Sequence, residues 1–517
     1  MLLALSFPRY GHPACAWVAL VPLLVALSGW QGRPGPLPGQ PASRALALGF
    51  VCGLVYFVGT IYWTGAVLAT FGGLSTPLAL LAMLLLATAL AMFPALASAV
   101  VARVLSVAGV SGLFLMPAAW VATEQARGWV LWGFPWVPLG NSQVSVLAIA
   151  QTASLGGVYS LSALVVLVNA AIAFALLAPG RSRVGVLGAT AALLVGVTAW
   201  GAWRVGEGAL TREGVPLTVG IVQPNISQDD KQDPSQARRI FTTNVAMTRD
   251  LVRRGAEYVL WPESAIPFTF EQDAGGSTAM RDLAGEVRIP LLFGSLQLVG
   301  EGAARQLYNA AFLLSPDGAT AAVYRKIHLV PFGEFFPMQE WLTFASPVVD
   351  SFMAFSPGAS IVLLPVGDHW TSTAICYEVV YPSLARRAVL EGSELLTTIT
   401  NDAWFGRSSA AYQHFEMASM RAIEQGRYLV RAANTGISGV VDPYGRVLRR
   451  SGIFEQEGIV EEVRLLTGRT LYALVGDVVV YAGMALSLLA LVAVRPRRST
   501  QGPPNPNRNA DAEHRSP

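Results

Sequence analysis

Three short runs each set a reactive side chain just past an apolar stretch. Leu260-Trp261-Pro262-Glu263-Ser264 carries one carboxylate. Tyr324-Arg325-Lys326-Ile327-His328-Leu329-Val330-Pro331-Phe332-Gly333-Glu334 carries an ammonium among apolar neighbours and a carboxylate on a Pro/Gly turn. Ser372-Thr373-Ala374-Ile375-Cys376-Tyr377-Glu378 runs an apolar stretch into a thiol followed by a carboxylate. Reactive groups of α/β folds sit at strand ends of this kind. Each has an ordinary alternative. Glu263 suits the start of a helix, Lys326 a solvated surface, and Cys376 a packed interior. Read as one set, they do acyl chemistry. Cys376 attacks a carbonyl, Glu263 takes the thiol proton, and Lys326 with the Tyr377 backbone N–H stabilises the oxyanion. Glu334 either pairs with Lys326 or orients a substrate.

These runs must be positioned by the rest of a 517-residue chain in which 53% of residues are hydrophobic and only 13% charged. That is about half the ~25% charged share of soluble domains, and mean hydropathy is +0.47. The composition excludes a disordered chain and an all-soluble globule. A net charge of +3 supports no nucleic-acid partner. Three cysteines, Cys15, Cys52 and Cys376, are too few for a disulfide framework. Cys15 and Cys52 fall in hydrophobic segments and read as inert packing.

The charges are unevenly placed. Residues 45–102 and 184–203 contain none, and 106–179 contain only Glu124 and Arg127. A membrane helix needs ~20 apolar residues to cross a ~30 Å hydrocarbon layer. Spans are expected near 13–30, 45–69, 77–102, 108–126, 157–178, 184–203 and 473–494. Segment 128–150 is rich in Trp, Gly and Pro and reads as an interfacial or re-entrant stretch. Glu124 and Arg127 read as a structural pair or a headgroup contact. Arg33 and Arg44, Arg103, Arg181 and Arg183, and Arg495, Arg497 and Arg498 all fall in connections on one side, the cytoplasm by the positive-inside rule. The polar block 204–469 then lies outside. The same parity places Met1 outside.

That block is expected to be an α/β domain, with continuous apolar strands suited to sheets covered on both faces. Strands are expected at 217–223, 257–263, 291–299, 309–315, 372–378, 395–402, 429–435 and 438–443, and helices at 235–254, 381–391 and 412–425. Phe415, Ala418, Met420 and Ile423 lie on roughly one apolar helix face.

The three runs, in this order, resemble the Glu-Lys-Cys triad of the nitrilase (carbon–nitrogen hydrolase) superfamily. Asn401-Asp402-Ala403-Trp404-Phe405-Gly406, the Gln413–Arg427 block and Asn434-Thr435-Gly436 are similar too. With the membrane segments, Ala69-Thr70-Phe71-Gly72-Gly73 and Arg127–Trp136, the whole chain resembles the membrane-bound apolipoprotein N-acyltransferase family. The resemblance implies a nitrilase-like α-β-β-α sandwich inserted between transmembrane helices of a polytopic block. Residues 1–203 would be the membrane domain, 204–470 the exported catalytic domain, 471–494 a closing helix and 495–517 a disordered cytoplasmic tail. The implied reaction moves an acyl chain from a phospholipid, typically phosphatidylethanolamine, to the α-amino group of the diacylglyceryl-cysteine of an apolipoprotein. It would run ping-pong through a Cys376 thioester, on the periplasmic face of the inner membrane, in a monomer with no cofactor and no metal. Glu263, Lys326 and Cys376 are the implied triad, with Tyr377, Glu378 and Glu334 supporting.

Two departures stand out. Only MLLALSF at the start corresponds to the family's first helix, which implies a late start or a shortened member. In the run Lys231-Gln232-Asp233-Pro234, Gln232 replaces a family tryptophan. Phe335, Phe336, Trp341, Phe344, Phe352 and Phe355 form an aromatic cluster that reads as core or as a lipid-facing lid. Two other classes share these features: a membrane-tethered amidase using water as acceptor, and a non-catalytic scaffold.

Overall fold

The computed structural model describes residues 1–32, 37, 39–178, 180–335 and 354–494. Phe336, Trp341, Phe344 and Phe352 lie outside the described residues, as do the tail from 495 and Arg33. Phe335 and Phe355 are half-buried beside the Glu334 turn, where the Phe355 N–H donates to the Glu334 carbonyl.

Two six-stranded mixed sheets pack face to face. The first runs 457–465, 215–223, 258–260, 291–299, 306–314 and 320–325 in spatial order; the second runs 447–450, 439–441, 429–433, 395–400, 369–375 and 364–366. Leu217, Val219, Ile221, Leu260 and Leu313 of the first meet Ile375, Ile399, Val430 and Ala432 of the second, all buried. Helices Ala237–Arg253 and Ala274–Val287 cover the outer face of the first sheet. Pro382–Glu391 and Ala410–Gln425 cover the second. The sequence misses the strands at 320–325, 364–366, 447–450 and 457–465 and the helix Ala274–Val287. The helix has small residues and two glycines in its first turn, and all four strands carry charged or proline residues that break or end an apolar run.

The four-layer sandwich is closed on one side by the membrane block. Helices Ala42–Ile61, Thr76–Ala108, Ala153–Leu177 and Ser182–Glu207 are the long apolar ones, while Pro13–Leu27 and Val478–Ala493 are shorter. The expected connection at 103–107 is a correction. Arg103 lies inside helix Thr76–Ala108, and the chain turns at Gly109–Leu115, where Gly112 packs on the Leu105 backbone, before helix Met116–Ala126. Segment 128–150 does not form one long helix; short turns carry it between the two halves. Helix Ala410–Gln425 is therefore buried nearly all round, not on one face. Its polar side chains reach the membrane block: Gln413 accepts from the Trp136 indole, and Glu424 accepts from the Val158 N–H just past the Gly156–Gly157 kink.

Glu124 and Arg127 do not form an ion pair. Glu124 accepts from the Leu139 N–H and the Trp120 indole, and Arg127 donates to the Phe134 and Trp136 carbonyls. Both side chains satisfy an irregular backbone that would otherwise be bare at this depth.

Candidate active site

Each reactive residue sits at a strand's C-terminal end on a bent backbone. Cys376 opens a single 3-10 turn directly after strand 369–375, with φ +52°. Ser264, next to Glu263, has φ +48°, and Phe332, two before Glu334, has φ +61°. Left-handed conformations cost non-glycine residues ~1–2 kcal/mol each and persist only where the surroundings hold them.

The three runs meet. Lys326 is 1% exposed, so it is not a solvated lysine. Its Nζ lies 2.8 Å from Glu334 Oε1 and 3.6 Å from Glu263 Oε1. Burial opposes its charge, but Glu334 and then Glu263 outweigh it and hold the ammonium well above its ordinary pKa. Burial, then the Glu263 carboxylate, push the Cys376 thiol up; Lys326 pulls it down. Burial and Glu263 both raise the cost of a thiolate, so a nucleophilic role for Cys376 would call for a base beside it. The Thr400 hydroxyl lies between the sulfur and Asp402.

The carboxylates are themselves held. Glu263 accepts from Asn309 Nδ2 at 2.7 Å and from the Asn401 N–H at 2.9 Å. The same Asn309 amide donates to Glu334 Oε1 at 2.9 Å, and the Val330 N–H donates to Glu334 Oε2. Glu334 is therefore the partner of Lys326. Asn309 is a site residue that the sequence did not single out; it lies inside strand 306–314, and its one signal is an amide just ahead of the apolar run AAFLL. Lys231 is another. Its Nζ donates to the Glu263 and Ser264 carbonyls at 3.4 and 3.0 Å, while Gln232 beside it is exposed. Burial, opposed by Glu263, pulls its pKa down to about 8.

Glu378 ties two of the runs together. One oxygen accepts from the Ile327 and His328 N–H groups and the Tyr324 hydroxyl, the other from the Ile375 N–H. Burial raises its pKa to about 7 against those bonds and Lys326. Tyr377 and Tyr381 both donate to the Gly133 carbonyl of the membrane-side stretch, at 3.3 and 3.4 Å. Tyr377 stacks on Trp136 with ring centroids 6.3 Å apart. Two membrane-side runs flagged by resemblance thus touch the site: Gly133–Trp136 here, and Phe71 against Trp404 at 5.0 Å. Among the described residues no group of three His, Cys, Asp or Glu could hold a metal ion.

Gly294 shows how tightly the Glu263 turn is seated. A Cβ there would lie 2.6 Å from the Ser264 nitrogen and 2.7 Å from the Glu263 Cα. Gly294→Ala is expected to destabilise the protein by ~1–3 kcal/mol and to depress turnover by displacing Glu263. Thermal unfolding alongside an activity assay checks it; an alanine variant with wild-type turnover would show the turn to be compliant.

Lys326→Ala leaves two carboxylates facing each other without their cation and removes a donor from the oxyanion position. A loss of ~3–4 kcal/mol of transition-state stabilisation is expected, read as kcat/KM. Normal turnover in this variant would remove Lys326 from the chemistry.

Comparison with known proteins fits this arrangement. The carbon-nitrogen hydrolase family matches residues 218–471, which makes the two-sheet half a domain of that class. The apolipoprotein N-acyltransferase N-terminal domain matches residues 1–171. An apolipoprotein N-acyltransferase from Geobacter metallireducens is 38% identical over 96% of this chain and 94% of its own. One from Gloeobacter violaceus is 35% identical over 97% and 93%. Such coverage spans both halves, so the chain belongs to the apolipoprotein N-acyltransferase family.

Proposed function

We propose that this membrane acyltransferase N-acylates the α-amino group of the diacylglyceryl-cysteine of apolipoproteins, the last step of lipoprotein maturation, with a phospholipid as donor. The observation that carries the mechanism is a thiol under the joint field of a buried carboxylate and a buried ammonium, on a turn anchored to the membrane-side stretch at Gly133. Glu263 takes the Cys376 proton as sulfur attacks the donor ester. Lys326 and the Tyr377 N–H receive the oxyanion. Glu263 returns the proton to the departing lysophospholipid oxygen, leaving a thioester. The lipoprotein amine then forms a bond to the acyl carbon and gives its proton to Glu263; the C–S bond breaks, and the leaving sulfur takes that proton, which restores the thiol.

A donor whose tails stay in lipid needs a thiol at headgroup depth. Phosphatidylethanolamine supplies such an ester. The orientation follows from the basic connections. Arg103 donates to the Val494 carbonyl, and Gly39 packs on residues 102–106, so three of these connections gather at one end of the bundle. The catalytic half sits at the other end, against Phe71 and Gly133. With the basic end cytoplasmic, the catalytic half of this monomer faces the periplasm from the inner membrane. We take 1–203, 204–470 and 471–494 as the matching domain division, with helix Ser182–Glu207 running four residues past the first boundary.

The test uses the full-length protein with phosphatidylethanolamine. Mass spectrometry should find a fatty acyl adduct on the Cys376 peptide. Adding a diacylglyceryl lipopeptide should discharge it into a triacylated product. Free fatty acid as the sole product would point to hydrolysis, and absence of any adduct would remove the thioester.

A further inference from the structure

A buried polar cluster lies directly behind the nucleophile and takes no part in the steps above. Asp402, His414 and Arg431 are all 0% exposed. Asp402 Oδ2 accepts from Arg431 Nη2 at 2.9 Å, and its Oδ1 accepts from the Thr400 hydroxyl at 2.8 Å. Arg431 holds the Asp402 carboxyl well below its ordinary range although burial works the other way. Arg431 Nη2 also lies 3.0 Å from His414 Nδ1, and His414 Nε2 lies 3.1 Å from the Cys376 carbonyl oxygen.

The Cys376 contact fixes a proton on Nε2. A ring nitrogen facing a carbonyl oxygen must carry a proton, since two lone pairs would otherwise oppose each other. Nε2–H therefore donates to Cys376; Nδ1 lies between the Arg431 donor at 3.0 Å and Asp402 Oδ1 at 3.1 Å, and the Nε2–H bond is the same whichever of the two it serves. Burial and then Arg431 lower the imidazole pKa, against Asp402. The ring is wedged between Trp136 of the membrane side and Phe405, at 5.5 and 5.9 Å between centroids.

The clamped carbonyl belongs to a residue at φ +52°, whose conformation needs support from outside. The peptide plane from Cys376 to Tyr377 is rigid, and its C=O and N–H point in opposite directions. Fixing the oxygen fixes the hydrogen. The Tyr377 N–H is in the first turn of a helix and so has no intrahelical acceptor.

We propose that His414 is a positioning residue for acyl transfer: its Nε2–H clamps the Cys376 carbonyl and, through the rigid peptide, aims the Tyr377 N–H at the oxyanion. Asp402 and Arg431 hold the ring at Nδ1, so that Nε2–H faces that carbonyl. This inference rests on Cys376 being the nucleophile.

His414→Leu removes the donor. His414→Gln keeps an amide N–H near the Nε2 position. Both are compared with wild type in the full-length protein for transfer from phosphatidylethanolamine to a diacylglyceryl lipopeptide. In parallel, iodoacetamide alkylation of Cys376 is followed on its peptide by mass spectrometry. Alkylation forms no oxyanion, so misaiming the Tyr377 N–H leaves it alone, whereas loss of the fold or of the thiol does not. In the leucine variant kcat should fall by ~10²-fold, with KM and the Cys376 alkylation rate within about threefold of wild type. The glutamine variant should recover to within about tenfold of wild type. The proposal is overturned by a leucine variant with wild-type kcat, by alkylation that falls in step with kcat, or by a glutamine variant no better than leucine. Transfer that survives Cys376→Ser would overturn the nucleophile reading instead, which is a separate result.

Discussion

Cys376→Ser should yield no acyl adduct and no triacylated lipopeptide above background, a loss of at least ~10⁴-fold. The reason lies in the surroundings of the sulfur. Burial and the Glu263 carboxylate already push the thiol above its ordinary pKa, so the site relies on sulfur's nucleophilicity and on proton removal during attack. A serine hydroxyl starts from a far higher pKa in the same field, and one carboxylate does not close that gap. The fold should survive. The side chain is nearly isosteric, and the Thr400 hydroxyl offers a partner to the new oxygen. A stability change of no more than ~1–2 kcal/mol is expected. Intact-protein mass after incubation with phosphatidylethanolamine, together with thermal unfolding, reads both quantities. A serine variant that transfers acyl chains at a substantial fraction of the wild-type rate would reject Cys376 as the attacking atom.

The sequence exposed the parts of the site whose side chains must be particular types, and missed the parts that only hold them. Glu263 and Cys376 each follow an apolar strand, so a polar residue there stands out; Lys326 follows strand 320–325, which ends in Arg325 and does not read as a strand, and shows only as an ammonium beside Ile327. Asn309 does not stand out, because an amide ahead of an apolar run looks like a strand start although it lies inside strand 306–314; only the fold shows it donating to both carboxylates. Lys231 reads as part of a solvated, charged run until its ammonium is seen reaching two backbone carbonyls. His414 falls in a quoted run, yet its partners come from the turn at Asp402 and strand 429–433, which no local pattern connects. The strands read well where they are continuous and apolar, as at 291–299. Strand 457–465 carries Glu457, Glu461, Glu462 and Arg464 and does not, because it lies at a sheet edge where half its side chains meet water. The membrane side shows the opposite failure. Trp136, in a stretch whose composition suggests the lipid interface, is fully buried, because the catalytic half covers it; Trp129 in the same stretch is 71% exposed. A hydropathy pattern registers that a segment avoids water but not whether protein or lipid replaces it.

Glu263→Gln should lose ~10²–10⁴-fold in both half-reactions, because one carboxylate serves both proton transfers. The substitution keeps the shape and removes the base. It also spoils the local bonding. Glu263 accepts from the Asn309 amide on one oxygen and the Asn401 N–H on the other. Glutamine has one accepting oxygen, so its NH₂ must face one of those donors. Lys326 keeps its closer partner, Glu334 at 2.8 Å, and so stays protonated. The ammonium therefore survives in this variant, and the defect isolates the base. That gives the test its discrimination. A donor ester with a strongly acidic leaving group departs without a returned proton, so acylation from such a donor should recover part of the loss. Discharge of the thioester to the lipopeptide amine should recover none, because the amine still has to give up its proton. Burst-phase acylation and single-turnover discharge measure the two steps separately. Equal defects with activated and ordinary esters would remove Glu263 as the acid for the leaving oxygen and leave it only the removal of the thiol proton, and undiminished discharge would place the amine's base elsewhere.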